Sequence, residues 1–190
     1  MGNISSKQIR NWVRKISESD QKAFDRLFRH FYAQLVRFAC KYVKSKATAS
    51  DIVQESFVGL WKKRQTLDPQ RSVKAYLYQT VRNRSLNYIR DHSKETVGLD
   101  PLKEYGLEAK NGSKQSAETD DRSELLSQWI KELPKRQREA FELSRFEGLD
   151  HDEIAEVMDI SANTVNNHIV AALDTLRSRS GEYKDQAKST

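Results

Sequence analysis

The chain has 190 residues, of which 37% are hydrophobic and 32% charged, and its formal net charge is +6. This composition is polar for one packed core but ordinary for two small helical domains, and the presence of only 7 Gly and 3 Pro favours an all-α fold. The single cysteine, Cys40, excludes an internal disulfide framework, and no charge-free run is long and apolar enough for a transmembrane helix. We therefore expect a cytoplasmic protein.

Charge is distributed unevenly along the chain. Residues 1–93 hold 19 Lys and Arg against 7 Asp and Glu, which gives them a net charge of +12. Residues 94–122 have a net charge of −2, and residues 123–190 have −4. The first half is therefore the part that we expect to face a polyanion.

Apolar spacing predicts three helices in the first half of the chain. The first runs from about Asp20 to Val43, where apolar residues recur every three or four positions. The second starts at Thr48, because the residues from Thr48 to Asp51 have the form of a capping box. After a turn at Asp68-Pro69, a long third helix is predicted from about Ser72 to Asp91.

The stretch from Lys94 to about Arg122 loses this periodicity, and its polar composition is typical of a flexible linker. Helical patterning resumes at Ser123, Pro134 suits the first turn of a further helix, and Gly148 is placed to end it. The sequence thus predicts two small helical domains, over residues 1–93 and 123–180. A flexible linker over 94–122 joins them, and a disordered tail over 181–190 follows.

A helix-turn-helix is predicted within the second domain. The residues from Asp150 to Glu153 open a short helix with a capping-box-like acidic turn, Ile160 lies in the connection, and Ser161 caps the second helix. That helix would lie across the major groove of DNA. Its buried stripe is predicted to comprise Val165, Ile169, Ala172, Leu173 and Leu176.

The second helix of this motif has little cationic support, because no Lys or Arg lies between Arg145 and Arg177. One good base contact gives about 1–3 kcal/mol of discrimination, whereas specific binding requires roughly 4–10 kcal/mol over non-specific binding. Phosphate contacts normally supply most of the remaining affinity. We therefore expect this module to bind DNA weakly when it is alone.

Three segments carry motifs in a fixed order. Asp51–Trp61 reads DIVQESFVGLW, Val73–Asn83 reads VKAYLYQTVRN, and Leu133–Phe141 reads LPKRQREAF after the polar linker. Together they resemble bacterial RNA polymerase sigma factors of the extracytoplasmic-function type, in the sigma-70 family. The first resembles the family's polymerase-docking helix, the second its promoter-melting segment, and the third the start of its fourth domain. The resemblance implies that residues 1–93 form sigma domain 2 and residues 123–180 form sigma domain 4.

The resemblance also implies partners and site residues for a promoter-specific initiation factor, with no cofactor. The partners are core RNA polymerase, promoter DNA as duplex and as melted single strand, and an anti-sigma factor. Polymerase binding is assigned to Asp51, Gln54, Glu55, Phe57, Leu60 and Trp61. Recognition of the −10 element is assigned to Arg71, Lys74, Tyr76, Tyr78, Arg82, Asn83, Arg84, Asn87 and Arg90, with Tyr76 and Tyr78 as base-stacking surfaces. Recognition of the −35 element is assigned to Arg136, Arg138, Ser161, Asn163, Thr164, Asn166, Asn167 and His168.

The sequence departs from the family at two places in the helix-turn-helix. Asn166, Asn167 and His168 stand where the family commonly has Lys or Arg, and Asp159 stands where Gly is usual. The −35 sequence therefore cannot be inferred by analogy.

Two other classes of function stay open at this point. One is a dimeric helix-turn-helix regulator with a ligand-sensing first domain, which would footprint DNA without polymerase. The other is an adaptor that docks on a partner through residues 51–61 and does not bind DNA. Enzymes are disfavoured, because the four His residues make no metal-spaced set with Cys40 and the sequence has no phosphate loop or nucleophile elbow.

Overall fold

The computed structural model describes residues 4–93 and 117–188, and its regular elements there are all helical. The chain divides into two compact units, the first with four helices and the second with four. The first unit contains α1 (Ser6–Ser17), α2 (Gln21–Ala39), α3 (Lys46–Lys62), a 3-10 turn (Arg64–Thr66) and α4 (Val73–Ser93). The second contains α5 (Ala117–Glu132), α6 (Lys135–Arg145), α7 (His151–Met158) and α8 (Ala162–Lys188). The expected all-α fold of two small domains is confirmed.

Helix α2 is the centre of the first unit, because α1, α3 and α4 all pack against it. The Asp20 side chain caps it by accepting hydrogen bonds from the Lys22 and Ala23 amides at 2.8 and 3.1 Å. Its inner face buries the large apolar side chains that the spacing predicted, among them Leu27, Phe31 and Leu35. The helix ends at Ala39 rather than Val43, because the amide of Tyr42 turns back to the carbonyl of Ala39.

Two helix starts in the first unit differ from the prediction. Helix α1 was not predicted, and it packs on α2 through the buried side chains of Trp12 and Ile16. Helix α3 begins at Lys46, because Ser45 is its N-cap and accepts a hydrogen bond from the Thr48 amide at 3.3 Å. The predicted capping box at Thr48 is therefore wrong.

The second unit is built around α8, which contacts α5, α6 and α7. Its core includes Ile130, Leu133, Phe141, Ala172 and Leu176. Helix α6 ends at Arg145 with Phe146 as its C-cap, and Gly148 follows with a φ of 61°, which suits a residue without a Cβ. The helix therefore ends shortly before Gly148, which was predicted to end it.

Two predicted boundaries around the second unit are wrong. Helix α5 already begins at Ala117, so the end of the proposed linker is helical, while residues 94–116 of it lie outside the described residues. Helix α8 continues to Lys188 instead of giving way to a disordered tail at residue 181. The ring of Tyr183 on this extension contacts Trp129 of α5, with 6.2 Å between ring centroids. Within the described ranges, no helix combines the length and apolarity that a membrane span requires.

Candidate nucleic-acid and polymerase interfaces

Helix α3 presents a polar face to solvent. Asp51, Gln54 and Glu55 are exposed along it, as expected for a contact surface. Val58 is 52% exposed one turn further on, and the sequence analysis missed it as part of this face. An exposed apolar residue beside amide and carboxylate groups has the mixed character of a protein interface. The signal in the sequence was weak, because a single Val beside Phe57 reads as part of the buried stripe.

The opposite face of α3 is fixed in the core of the first unit. Phe57 is 1% exposed and lies edge-on to Phe28, with 4.8 Å between centroids, and Leu60 is fully buried. Neither side chain is accessible to a partner, so the assignment of Phe57 and Leu60 as contact residues is corrected: they hold the helix in place. Trp61 is half-buried. The centroid of its ring lies 5.0 Å from the ring centroid of Phe24 and 4.7 Å from the Cζ atom of Arg64.

One ion pair joins α3 to α4. The guanidinium of Arg84 donates to the Glu55 carboxylate, and both side chains are partly exposed, at 39% and 66%. The sequence analysis had assigned Glu55 to polymerase and Arg84 to DNA. The structure therefore brings these two residues together.

Helix α4 has one solvent-facing stripe along its length. Tyr76, Asn83, Asn87 and Arg90 recur at helical spacing on it, with Asn83, Asn87 and Arg90 exposed and Tyr76 half-exposed. Arg71 is exposed in the turn that precedes the helix. An aromatic ring, two amides and two guanidinium groups thus lie on or next to one side of the helix.

Two residues of the proposed −10 set lie on the other side of α4. Tyr78 is fully buried, and its ring lies edge-on to Phe38 with 4.9 Å between centroids. Arg82 is only 9% exposed. The assignment of Tyr78 as a base-stacking surface is corrected, because its ring faces are occupied by the core of its own unit. Tyr88 is half-buried and its ring stacks on that of His92, with 3.9 Å between centroids.

Lys74 does not lie on the exposed stripe of α4. It is half-buried, as is His30 of α2. Burial, together with the positive charge of Lys74, lowers the pKa of His30 below its ordinary value.

The turn between α7 and α8 is tightly specified. Asp150 and Glu153 form a full capping box, with amide-to-carboxylate distances of 2.9 and 3.0 Å. Asp159 ends α7 in the left-handed conformation, with φ 55° and ψ 54°. This conformation favours Gly, and Asp is one of the few other residues that adopt it. Ser161 caps α8 by accepting from the Thr164 amide at 3.1 Å, as the sequence predicted.

The start of α8 presents amide side chains to solvent. Asn163, Asn166 and Asn167 are exposed, while Thr164 and His168 are half-buried. The Ser161 and Thr164 hydroxyls are hydrogen-bonded to each other at 2.8 Å. Four residues of the predicted stripe, Val165, Ile169, Ala172 and Leu176, are buried on the inner face, whereas Leu173 is half-buried. This arrangement is a helix-turn-helix with a polar reading surface.

Both halves of the described chain match known family models. Residues 27–95 match sigma-70 region 2, and residues 123–176 match sigma-70 region 4. The chain belongs to the sigma-70 family. It is a sigma factor, which directs transcription initiation, and two curated relatives are of the extracytoplasmic-function (ECF) type.

Curated relatives span almost the same length as this sigma factor. The ECF RNA polymerase sigma factor SigM of Bacillus subtilis is 28% identical over 153 residues, which cover 80% of this chain and 92% of SigM. The ECF RNA polymerase sigma-E factor of Haemophilus influenzae is 25% identical over 175 residues, covering 88% and 92% of the two chains. Among solved structures, the sigma factor RpoE from Bartonella quintana, in complex with the anti-sigma factor NepR, has a TM-score of 0.64 at 20% identity, covering 83% of this chain and 96% of that one.

Two arginines of this sigma factor's region 4 differ in their surroundings. Arg136 is exposed and lies 4.0 Å from the Glu139 carboxylate. Arg138 is half-buried, and its guanidinium donates to the carbonyl of Lys131 at 2.6 Å, near the end of α5. Arg138 therefore satisfies a helix-terminal carbonyl, a structural role that the sequence analysis did not assign to it.

The described residues can be compared with the requirements of a metal site and of a reactive thiol. They contain no group of three or more His, Cys, Asp or Glu side chains that could hold a metal ion. Cys40 is half-buried, and burial raises the pKa of its thiol, which makes it a poor nucleophile.

Proposed function

We propose that this sigma factor docks on core RNA polymerase through the exposed face of α3, captures the melted −10 strand along α4 and reads the −35 duplex with α8. The observation that carries the proposal is the α4 stripe of Tyr76, Asn83, Asn87 and Arg90. It lies in the part of the chain with a net charge of +12. We assign the cytoplasm as its location, where core polymerase and promoter DNA are found, and a regulatory rather than an enzymatic role.

The α4 stripe has the chemistry that a single strand requires. An aromatic ring such as that of Tyr76 stacks on an unpaired base for about 1–3 kcal/mol, whatever the base. The Asn83 and Asn87 amides both donate and accept, so they suit the base edges that melting exposes. Arg71 and Arg90 supply charge for the phosphates on either side. The α4 stripe and the turn before it thus offer groups that can stack on a base, bond to base edges and bind the phosphate backbone.

The start of α8 suits duplex DNA. An Asn side chain forms a bidentate pair with adenine, and a Thr methyl contacts thymine. Asn163, Asn166 and Asn167 are exposed for such contacts, whereas Thr164 is half-buried. Because cations are missing from this stretch, its base contacts select a promoter without supplying much affinity. Polymerase and the basic first unit supply the rest.

The exposed face of α3 suits a protein partner. Gln54 and Glu55 offer polar contacts, and Val58 offers an apolar one next to them. The burial of Phe57 and Leu60 keeps the backbone of α3 fixed. A rigid helix presents such contacts at a lower entropic cost than a loop does.

An anti-sigma factor is a further proposed partner. The proposal is supported by the family and by the fold likeness to the Bartonella quintana RpoE, which was solved with its anti-sigma factor NepR. Such a partner would cover the α3 face, the reading helix, or both.

Run-off transcription with purified core polymerase and genomic fragments tests the proposed function. We expect specific transcripts only when the chain is added, and their loss when Asn83 and Asn87 are both changed to Ala. The matched control changes two exposed residues of other helices, Gln21→Ala and Gln128→Ala. A folded chain that supports no initiation on any fragment would contradict the proposal.

A further inference from the structure

Helix α1 carries a basic face that the promoter assignments leave unused. Lys7, Arg10 and Arg14 are exposed and recur at spacings of three and four, which places them on one side of the helix. Trp12 and Ile16 occupy the other side and are buried against α2. The whole helix precedes the segment that matches sigma-70 region 2, which starts at residue 27.

This face forms one wall of an open cleft of about 570 Å³. The opposite wall is Pro69-Gln70, in the turn just before Arg71 and α4. Three of the side chains that line the cleft are cationic, and none is acidic. Asp68, the acidic residue that precedes Pro69, accepts a hydrogen bond from the backbone amide of Gln70 at 2.8 Å. The cleft thus offers an anion several positive charges with little competition from its own lining.

The placement of Lys7 is not explained by the stability of α1. The N-terminus of a helix is the positive end of its dipole, so Lys7 in the first turn is unfavourably placed, and no acidic residue offsets it there. Arg14 lies in the last turn, where it complements the dipole, and it donates to the Asn11 side chain at 3.0 Å, a contact with another residue that lines the cleft. A first-turn cation that opposes the dipole, together with two more cations in the same cleft, indicates an anionic ligand.

We propose that this cleft, formed by α1 and the Pro69-Gln70 turn, binds the phosphate backbone of promoter DNA next to the strand captured by α4. The proposal rests on the proposed function and extends it to a part of the chain outside the matched region. Gln70 lines the cleft and Arg71, its neighbour in sequence, is exposed, so the basic surface continues towards α4. A membrane surface is disfavoured as the ligand, because a helix that binds lipid inserts its apolar face, and that of α1 is buried in the core.

The salt dependence of DNA binding tests the proposal. The full-length chain carrying Lys7→Gln, Arg10→Gln and Arg14→Gln is titrated onto a fluorescent forked promoter fragment at several salt concentrations. Each lost phosphate contact lowers the slope of log K against log salt by roughly 0.7 for single strands and 0.9 for duplex. We expect the slope to fall by about 2 to 3. The control removes three exposed cations elsewhere in the first unit, Lys22→Gln, Arg37→Gln and Lys46→Gln, and should change the slope much less.

A charge-retaining variant separates phosphate contacts from folding. Arg10→Lys with Arg14→Lys should keep the wild-type slope, and circular dichroism should show unchanged helix content in every variant. If the triple variant and its control have equal slopes, the proposal is overturned. If the triple variant loses helix content, a variant that combines Arg10→Lys and Arg14→Lys with Lys7→Gln takes its place. The slope of this variant should fall by about one contact, and a wild-type slope would also overturn the proposal.

Two further arms distinguish other anions. Inorganic tripolyphosphate that binds the wild type but not the triple variant, with an unchanged DNA slope, would assign the cleft to a free polyphosphate and overturn the DNA proposal. Sedimentation with phosphatidylglycerol vesicles that depends on the same three residues, again with an unchanged DNA slope, would assign it to a membrane. Run-off transcription by the wild-type chain is measured in parallel, so that failure of the proposed function is seen separately from failure of the cleft.

Discussion

The two neighbouring tyrosines of α4 should behave in opposite ways when they are truncated. Tyr78 is fully buried against Phe38, so Tyr78→Ala removes an aromatic ring from the core. Such changes cost about 3–5 kcal/mol, a large share of the roughly 5–15 kcal/mol that stabilises a typical protein. We expect a markedly lower urea midpoint of unfolding for this variant.

Tyr76→Ala should instead leave folding nearly unchanged and weaken the capture of a single strand. Tyr76 is half-exposed on the α4 stripe. Loss of one stacked base at about 1–3 kcal/mol corresponds to a roughly 5- to 150-fold weaker affinity for the −10 strand. Tyr76→Phe keeps the ring and should retain the affinity.

The assays are urea unfolding followed by circular dichroism and fluorescence anisotropy of a forked fragment with an unpaired −10 strand. Tyr78→Phe is the informative control, because it keeps the buried ring and should bind the strand as the wild type does. The reasoning is refuted if Tyr78→Phe loses strand binding while its unfolding midpoint is unchanged. It is equally refuted if Tyr76→Ala binds the strand with wild-type affinity.

Three further predictions concern docking, capping and pH. Gln54→Ala with Glu55→Gln should weaken core polymerase binding in a pull-down without lowering the unfolding midpoint. The matched pair Gln21→Ala with Glu18→Gln should leave polymerase binding unchanged, and equal binding by both pairs would contradict α3 as the docking face. Asp150→Ala removes the α7 cap and should cost about 1 kcal/mol, or about 4–8 °C in the melting temperature of the second unit, and Asp152→Ala, which removes the same charge without the cap, should cost less. Hydrogen bonds from Arg179 and then Gln128 lower the pKa of Glu132. The stability that they add is therefore present above the unfolded-state pKa and is lost as pH falls through the lower folded-state pKa. Glu132→Gln should flatten the acid side of the plot of unfolding free energy against pH, and an unchanged plot would count against the Arg179 contact.

Regular local signals explain what was predicted well from the sequence. The turn from Asp159 to Ser161 was predicted from the capping residue Ser161 and the apolar residue Ile160 in the connection. The Asp150 capping box is specified by two residues three positions apart. The buried stripe of α8 follows from helical spacing alone. These features depend on a few neighbouring residues, which is why the sequence was sufficient for them.

Helix α1 was missed although its apolar residues Ile9, Trp12, Val13 and Ile16 follow helical spacing, a local signal that could have predicted it. Other features depend on packing between helices and were misplaced or missed for that reason. Tyr76 and Tyr78 are both aromatic, and only the position of Phe38 decides which of them is covered. The Arg138 contact with the Lys131 carbonyl likewise joins two helices, which the spacing of residues within one helix does not predict.

The Glu55 and Arg84 ion pair is compatible with the different partners proposed for its two residues. Both side chains are partly exposed, and exposed pairs of this kind contribute about 0–1 kcal/mol to stability. Helices α3 and α4 also pack against each other directly, and each is anchored in the core by buried side chains such as Phe57 and Leu77. Docking that engages Glu55 would therefore release Arg84 for a phosphate at little cost to the fold.

In the proposed function, α8 depends on the basic first unit because its own charges do not provide affinity. The exposed residues Asn163, Asn166 and Asn167 are its proposed base contacts, and the first cation after them in the sequence is Arg177. Base contacts of about 1–3 kcal/mol each distinguish one promoter from another, but phosphate contacts determine whether the chain remains on DNA. The base contacts are thus proposed for the acidic second unit, whereas the positive charge lies in the first. Because promoter discrimination then requires both units, isolated α5–α8 should show little preference for a promoter that the full chain selects.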